Sequence, residues 1–391
     1  MDSICQSLIN PNKEQIHLNP SLPVHIQHQV QKIVSEHPEK ENRVWIMSSG
    51  TSSTSSSSFK LIALTHSGFI ASAKSVNKHL AVSKTDRWLN VLPLFHVGGL
   101  GILYRSNCSE TDCLNLWTPH YKWNPIEFIK TCSDNEVTLS SLVPTQIFDL
   151  IKTGIKAPPH LRAIVVGGAR LNFDLYLKAR TLGWPLLPSF GMTEVCSQIA
   201  TSSLQSLAKI PSESPPLLLL SHILARTNES GQLEISSPSL LCGYYPIIDG
   251  KQQLWVNPIN QSGWYVTQDC ANLENGNINV YSRIDEVIKV RGENVNLCNL
   301  RNKIEGLVSQ SSTQIDCTIV ALPDERVGNK LILVGSESKE KLSDIAHQFN
   351  FQVLPFERIE TIIENVNIPR SSLGKILYQQ LLSLINNESQ K

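Results

Sequence analysis

A two-domain α/β protein is the fold class this sequence predicts, and three observations predict it. At 391 residues the chain is longer than one hydrophobic core ordinarily organises. From residue 43 onward, short apolar runs bounded by Gly, Ser and Pro alternate with segments of helical spacing. Past Gly231 the texture shifts to shorter strands, and past Arg283 to a small α+β unit. The boundary is therefore placed at Arg283–Asp285, with a large domain over 1–283 and a small one over 284–391.

The elements follow in order. Residues 1–42 are polar, with one helix-like stretch at 24–34. Residues 44–47 read as a strand running into Ser48-Ser49-Gly50-Thr51. Apolar residues recur at helical spacing over 125–132 and 145–151. Ala163-Ile164-Val165-Val166 reads as a buried strand ending in Gly167-Gly168. Residues 185–190 read as another strand, ending at Gly191, with a helix expected from Thr193. Short strands are expected at 233–235, 264–266 and 278–281, and Asn275-Gly276 signals a type I′ hairpin turn. In the small domain, 295–308 and 342–349 read as helices, and 316–322 and 331–334 as strands.

Composition narrows the function classes. Hydrophobic residues at 41% and charged residues at 17% describe a globular chain, not a disordered one. Lys+Arg and Asp+Glu both number 34, so no net field favours nucleic acid or an acidic membrane surface. An anionic ligand must then be held by local groups. The nine cysteines are scattered with no CxxC pair, which suggests neither zinc nor a disulfide framework and suits a reducing cytosol. The start, Met1-Asp2-Ser3-Ile4-Cys5-Gln6, lacks the basic-then-apolar order of a signal peptide, and no apolar run is long enough to span a bilayer. A cytoplasmic protein without nucleic-acid or membrane partners is expected.

Several residues carry two readings side by side. The hydroxyl-rich run at 52–58 is either a flexible linker or a loop whose N–H and O–H groups solvate an anion. Lys60 behind it is either a surface lysine or an added charge for that anion. Thr193 and Glu194 either cap a helix, or sit at an anion-favouring terminus where a lone carboxylate suits magnesium. Gly167, Gly168 and Ala169 make a tight turn and equally allow close approach of backbone to a ligand. His96, in an apolar run, is either a structural histidine or a group bordering a substrate pocket. Lys375, in a turn-rich stretch, is by itself an ordinary solvated lysine.

The order of these motifs is specific where each alone is not. Ser49-Gly50-Thr51 with Lys60 and Thr65-His66 comes first, then Pro93-Leu94-Phe95-His96-Val97-Gly98-Gly99-Leu100, then Gly167-Gly168-Ala169. Phe190-Gly191-Met192-Thr193-Glu194, Gly263-Trp264-Tyr265-Val266-Thr267-Gln268-Asp269 and Arg283-Ile284-Asp285-Glu286 follow, and Pro369-Arg370 with Gly374-Lys375 closes the series. In this order the chain resembles the superfamily of acyl-CoA synthetases, adenylation domains and luciferases. The run FGMTEVCSQIAT at 190–201 is most similar to its o-succinylbenzoate–CoA ligase branch, of menaquinone synthesis.

The resemblance implies the adenylate-forming enzyme fold: a large α/β domain, reduced at its N-terminal side, and a small mobile α+β domain. It implies ATP and Mg²⁺ as cofactors, coenzyme A as co-substrate and a small carboxylic acid as partner, with a homodimer left open. Ser48, Ser49, Gly50, Thr51 and Lys60 would cradle the phosphates, with Thr51 and Glu194 at the metal and Thr193 at the α-phosphate. Gly167, Gly168, Ala169, Phe190 and Gly191 would border the adenine, and Asp269 and Arg283 the ribose and phosphates. His96, Gly98 and Gly99 would border the acyl pocket, with Ser197 and Gln198 facing the acid's polar head and His96 gating the substrate. Lys375 would bridge carboxylate and α-phosphate during adenylation, and Asp285 would be the hinge.

The chain also departs from the family pattern. The phosphate loop lacks a second glycine and a Pro-Lys pair, Gln268 replaces the glycine before Asp269, and Ser282 replaces the glycine before Arg283. About 47 residues precede the phosphate loop, so the front of the large domain is expected to be reduced. Another aryl- or acyl-CoA ligase, an adenylation enzyme loading a carrier protein, and a nucleotide-binding pseudoenzyme are the alternatives.

Overall fold

The structure, a computed structural model, describes residues 9–39, 41–48, 59–310, 315–371, 374 and 376–388. The chain divides into two compact units. One comprises Met1–Arg226, Glu234–Val266 and Leu273–Ile278; the other comprises Thr227–Leu233, Thr267–Asn272 and Asn279–Lys391.

The first unit opens with β1 (Gln15–His17), α1 (Val24–Glu36), β2 (Arg43–Ser48), β3 (Phe59–Thr65) and α2 (His66–His79). β1 runs parallel to β2, and β2 antiparallel to β3. α2 begins where Thr65 Oγ1 accepts the Gly68 N–H at 2.9 Å, satisfying a donor that the first helical turn leaves open.

A series of strand–helix units follows: β4 (Arg87–Asn90), α3 (Val97–Ser109), β5 (Asp112–Asn115), α4 (Pro125–Asp134) and β6 (Leu139–Leu142). It continues with α5 (Pro144–Lys152), β7 (Ala163–Val166), α6 (Phe173–Thr181) and β8 (Leu186–Met192). The five strands pair in parallel in the order β8-β7-β6-β4-β5. β7 is buried along its whole length, which its unbroken apolar sequence anticipates. α4 starts on Asn124, whose side chain accepts the N–H groups of Ile126 and Glu127, with Pro125 at the first helical position. Phe128, Leu142, Val166, Tyr176 and Trp184 form the centre of the core that these helices press onto the sheet.

β9 (Ser197–Thr201) turns back antiparallel on β8, and β10 (Leu217–Leu219) lies antiparallel to β9. The helix expected from Thr193 is absent. A single 3-10 turn, Thr193–Val195, stands there and ends at Cys196, whose φ of 53° is left-handed. No right-handed helix continues through that conformation, and the chain passes straight into β9.

After β11 (Leu224–Thr227) and β12 (Gln232–Ser236), β13 (Gly243–Ile248) pairs antiparallel with β3, and β14 (Lys251–Gln252) with β13. Between β15 (Tyr265–Glu274) and β16 (Asn277–Arg283), Asn275 and Gly276 have φ of 49° and 78°, the two left-handed positions the hairpin signal requires.

In the second unit, β17 (Val287–Val290) pairs antiparallel with β18 (Glu293–Asn296), ahead of α7 (Leu297–Gln310). The sequence reading began that helix at 295. Val295 instead pairs with Ile288, so strand pairing claims the first residues. β19 (Cys317–Asp324) and β20 (Gly328–Gly335) form a long antiparallel pair, then come α8 (Lys339–Asn350), β21 (Thr361–Ile363) and α9 (Tyr378–Glu388). Leu300, Ile304, Ile319, Leu333 and Phe349 centre its core. No helix among the described residues is long and apolar enough to cross a membrane.

Two histidines of the first unit make stability pH-dependent. Burial lowers His17 and His222 from 6.5 to about 4, and among the described residues neither His222 ring nitrogen has a hydrogen-bond partner. Because the folded value lies below the unfolded one, the unfolded chain takes up protons first as pH falls. The stability is therefore present above about pH 6.5 and is lost as pH falls toward about 4, roughly 3 kcal/mol per histidine. Thermal unfolding should show a lower Tm at pH 5 than at pH 7.5, and His222→Gln should narrow that gap. An undiminished gap in the variant would refute the role of His222.

Candidate functional site

The residues singled out in the sequence divide between the two units. In the first, β7 and β8 run side by side in parallel, and Gly167-Gly168-Ala169 and Phe190-Gly191 stand at their carboxyl ends. Open α/β sheets take ligands at that edge. The Gly167 N–H donates to the Leu142 carbonyl at 3.2 Å, and a Cβ on Gly167 would lie 3.0 Å from Ser189 Oγ. Gly168 has φ of 84°, a conformation glycine adopts without steric cost.

Glu194 sits in the 3-10 turn, which packs against β3, and its carbonyl accepts the Leu241 N–H at 2.8 Å. Lys60 pairs with Ser48 across β2 and β3, and its ammonium lies 4.7 Å from the centre of the Tyr244 ring. Burial pushes the Tyr244 hydroxyl up, and the Glu194 charge adds to the push. Tyr244 thus packs against the lysine and feels the Glu194 charge. Sequence reasoning missed it, because only the pairing of β13 with β3 brings it there.

His96 is the N-cap of α3, where its N–H donates to the Pro93 carbonyl at 3.2 Å and its carbonyl accepts the Leu100 N–H at 3.0 Å. Its ring stands 4.6 Å from that of Phe95. A Cβ on Gly99 would lie 2.4 Å from the Pro93 carbonyl oxygen, so a larger residue could not start the helix against this loop. The more open Gly98 would place its Cβ 3.5 Å from Leu92 Cδ1.

Ser197 and Gln198 are buried. Ser197 Oγ lies 3.3 Å from Arg105 Nη2 and 3.4 Å from Ser72 Oγ. The Gln198 amide donates to the Thr201 hydroxyl, while its Oε1 has no hydrogen-bond partner among the described residues. Burial lowers Arg105 to about 10. The sequence reading passed over Arg105, although a lone arginine after Leu100-Gly101-Ile102-Leu103-Tyr104 was a visible signal.

In the second unit, Asp269 and Arg283 come together, with Oδ1 and Nη1 3.8 Å apart. The Thr267 hydroxyl accepts the Asp269 N–H at 3.0 Å, fixing the backbone there. The backbone of Asp285 lies in the 3-10 turn Ile284–Glu286. Glu286 next to it is bonded by Arg301 at 2.8 Å, and the Arg301 guanidinium lies over the Tyr378 ring. Near the C-terminus, Arg370 Nη1 donates to the Gly374 carbonyl at 3.0 Å and Nη2 to Asp316 at 2.7 Å. The Leu377 N–H donates to the Pro369 carbonyl at 2.8 Å. The chain is thereby held on both sides of position 375. Lys375 itself, Ser49, Gly50, Thr51 and the hydroxyl run 52–58 lie outside the described residues.

Among the described residues no group of three or more His, Cys, Asp or Glu could hold a metal. Magnesium carried on a nucleotide needs only one or two carboxylates, because phosphate oxygens and water complete its shell. A lone Glu194 fits that donor set.

A parallel α/β sheet with small residues and a carboxylate at its carboxyl edge defines a nucleotide-handling enzyme class, and the chain belongs to the AMP-binding enzyme family, whose pattern matches residues 10–245. Among curated relatives, the 2-succinylbenzoate–CoA ligase of Bacillus velezensis is 27% identical over 330 residues, which is 81% of this chain and 64% of that protein. The enzyme of the same name from Bacillus subtilis is 28% identical over 79% of this chain and 63% of its own length. The chain therefore spans less than two thirds of the curated relatives it matches. Among solved structures, the o-succinylbenzoate coenzyme A synthetase of Bacillus subtilis with the acyl-adenylate intermediate superposes with a TM-score of 0.74 at 22% identity, covering 94% of this chain and 82% of that one. The same synthetase with ATP and magnesium gives 0.70 at 23% identity, over 87% and 69%. At this identity the likeness establishes the fold: α/β, of the adenylate-forming kind.

Proposed function

We propose that this chain is an AMP-forming acid–thiol ligase that uses ATP and Mg²⁺ and acts on o-succinylbenzoate with coenzyme A as acceptor. The observation that carries the reading is the match to 2-succinylbenzoate–CoA ligases over four fifths of the chain. The substrate carboxylate oxygen attacks the α-phosphorus of ATP, the bond to the β-phosphate oxygen breaks, and pyrophosphate leaves. The thiol of coenzyme A then attacks the acyl carbon and AMP departs with the bonding electrons.

In this reading, magnesium neutralises charge on the phosphates when bound. Glu194 supplies its carboxylate ligand, with Thr51, and Thr193 donates to the α-phosphate. Ser48, Ser49, Gly50 and Lys60 hold the outer phosphates. Gly167 to Ala169, Phe190 and Gly191 border the adenine, and Asp269 accepts the ribose hydroxyls with Arg283 beside it. His96, Gly98 and Gly99 border the acyl pocket. Residues 1–283 bind the substrates, and 284–391 carry Lys375 and swing about Asp285.

Pyrophosphate release from ATP–Mg²⁺ with a panel of carboxylic acids, and thioester formation on adding coenzyme A, test the proposal. Release is expected with o-succinylbenzoate; silence across the whole panel would overturn the reading in favour of a nucleotide-binding pseudoenzyme. Asp269→Ala should weaken ATP binding about tenfold or more, because a charged hydrogen bond contributes about 1.5–3 kcal/mol. An unchanged dissociation constant in calorimetry would remove Asp269 from the nucleotide site.

A further inference from the structure

Lys60 and Tyr244 stand on neighbouring strands, and the pairing of β3 with β13 decides which face they share. Lys60 lies opposite Pro246 and Ile62 opposite Tyr244, so Tyr244 is the diagonal neighbour of Lys60 on one face of the pair. That face is only half buried at Lys60, Tyr244 and Pro246, while Phe59, Leu61, Tyr245 and Ile247 point the other way into a core. There the Lys60 ammonium lies over the Tyr244 ring, 4.7 Å from its centre.

The ring is held more firmly than the lysine. The Tyr244 backbone faces Ile62 on one side and exchanges both of its hydrogen bonds with Val256 on the other, each 2.9 Å. Just before it, Trp255 closes over Gly243, where a Cβ would lie 2.4 Å from Trp255 Cζ2. A lysine, by contrast, carries its charge on a flexible four-carbon stem. What holds the ammonium also decides what it can still do. Among the described residues no carboxylate pairs with Lys60. A carboxylate would cancel the charge, whereas the negative face of a ring attracts a cation and leaves its N–H groups to donate elsewhere. Burial and the Glu194 charge push the Tyr244 hydroxyl up, so the ring stays a neutral phenol and never a phenolate. Ser48, across from Lys60 on β2, is the residue from which the chain enters 49–58.

We propose that Tyr244 is the positioning residue of Lys60: its ring face holds the ammonium at the ends of β2 and β3, with its charge uncancelled, for the β- and γ-phosphates of ATP. This rests on the assignment of Lys60 to the outer phosphates and deepens it. The ring aims the lysine, and the preference for ATP over AMP then depends on an aromatic side chain that carries no charge.

Titration calorimetry of ATP–Mg²⁺ and of AMP tests this, because AMP lacks the two phosphates in question. Wild type, Tyr244→Leu, Tyr244→Phe, Lys60→Met and the double variant Tyr244→Leu with Lys60→Met are compared, with Tm as a check on folding. Tyr244→Leu should weaken ATP about threefold to tenfold and leave AMP where it was. Tyr244→Phe, which keeps the ring, should recover most of the loss. Lys60→Met should also lose ATP affinity, and adding Tyr244→Leu to it should cost nothing more. Equal weakening of ATP and AMP would make the ring structural and overturn the inference, as would a further loss of ATP in the double variant. Should Tyr244→Leu fail to fold, Tyr244→Met replaces it as a ringless side chain. A protein that shows the expected pattern but turns over no acid would overturn the ligase reading and leave this inference standing. A wild type that binds neither nucleotide would overturn both.

Discussion

Lys375→Ala should reduce acyl-adenylate formation about a hundredfold to a thousandfold, the usual cost of removing a preorganised charge from a transition state. The lysine stabilises charge passing from the attacking carboxylate to the α-phosphate, so its loss should fall on the first half-reaction alone. Supplied with chemically made acyl-adenylate and coenzyme A, the same variant should form thioester at near wild-type rate. Separate assays of the two half-reactions check this. Equal damage to both would show Lys375 to be structural, or the two-state motion of the small domain to be wrong. Around this position the Arg370 bonds to Gly374 and Asp316 hold the flanking chain. Arg370→Ala should accordingly weaken the same half-reaction, and less severely, since only the presentation of the lysine is loosened.

Gly191→Ala should cost about 3 kcal/mol of stability and most of the activity, because overpacking here meets backbone and not a side chain that can turn away. A Cβ on Gly191 would stand 1.9 Å from the Ser197 carbonyl oxygen and 3.0 Å from the Gln198 Cα. The contact arises from a bulge: Phe190 faces Ala200 but Gly191 faces Gln198, leaving Ile199 as the extra residue. Relief of the clash must push β9 off β8, moving Ser197 and the turn that carries Glu194. Denaturant unfolding and pyrophosphate release read the two effects. A variant with wild-type stability would mean the two strands separate more easily than their pairing implies.

The architecture was legible in the sequence wherever one local signal sufficed. Residues 163–166 needed only their unbroken apolar run, and α4 the helical spacing of its apolar residues over 125–132. The Asn275-Gly276 turn needed only two residues tolerant of positive φ. α3 was harder, because Gly98, Gly99 and Gly101 are poor helix formers, and its packing on α2 outweighs their propensity. The expected helix after Thr193 failed for the opposite reason: nothing local announces that Cys196 turns left-handed, and pairing with β8 takes the next five residues.

The sequence by itself determined the family, the order of its motifs and the residue types available for chemistry, because each motif is a short run whose meaning lies in its neighbours along the chain. It also brought Asp269 and Arg283 forward as partners in one task, and the fold sets them 3.8 Å apart. Only the tertiary structure decided that the Tyr244 ring stands beside the Lys60 ammonium, and that buried Arg105 lies within hydrogen-bond reach of Ser197. Those residues are separated by up to 184 positions, Lys60 to Tyr244. Their meeting depends on strand pairing and helix packing, which no local window of sequence encodes. Burial and hydrogen-bond geometry are properties of such meetings, and neither composition nor spacing along the chain carries them.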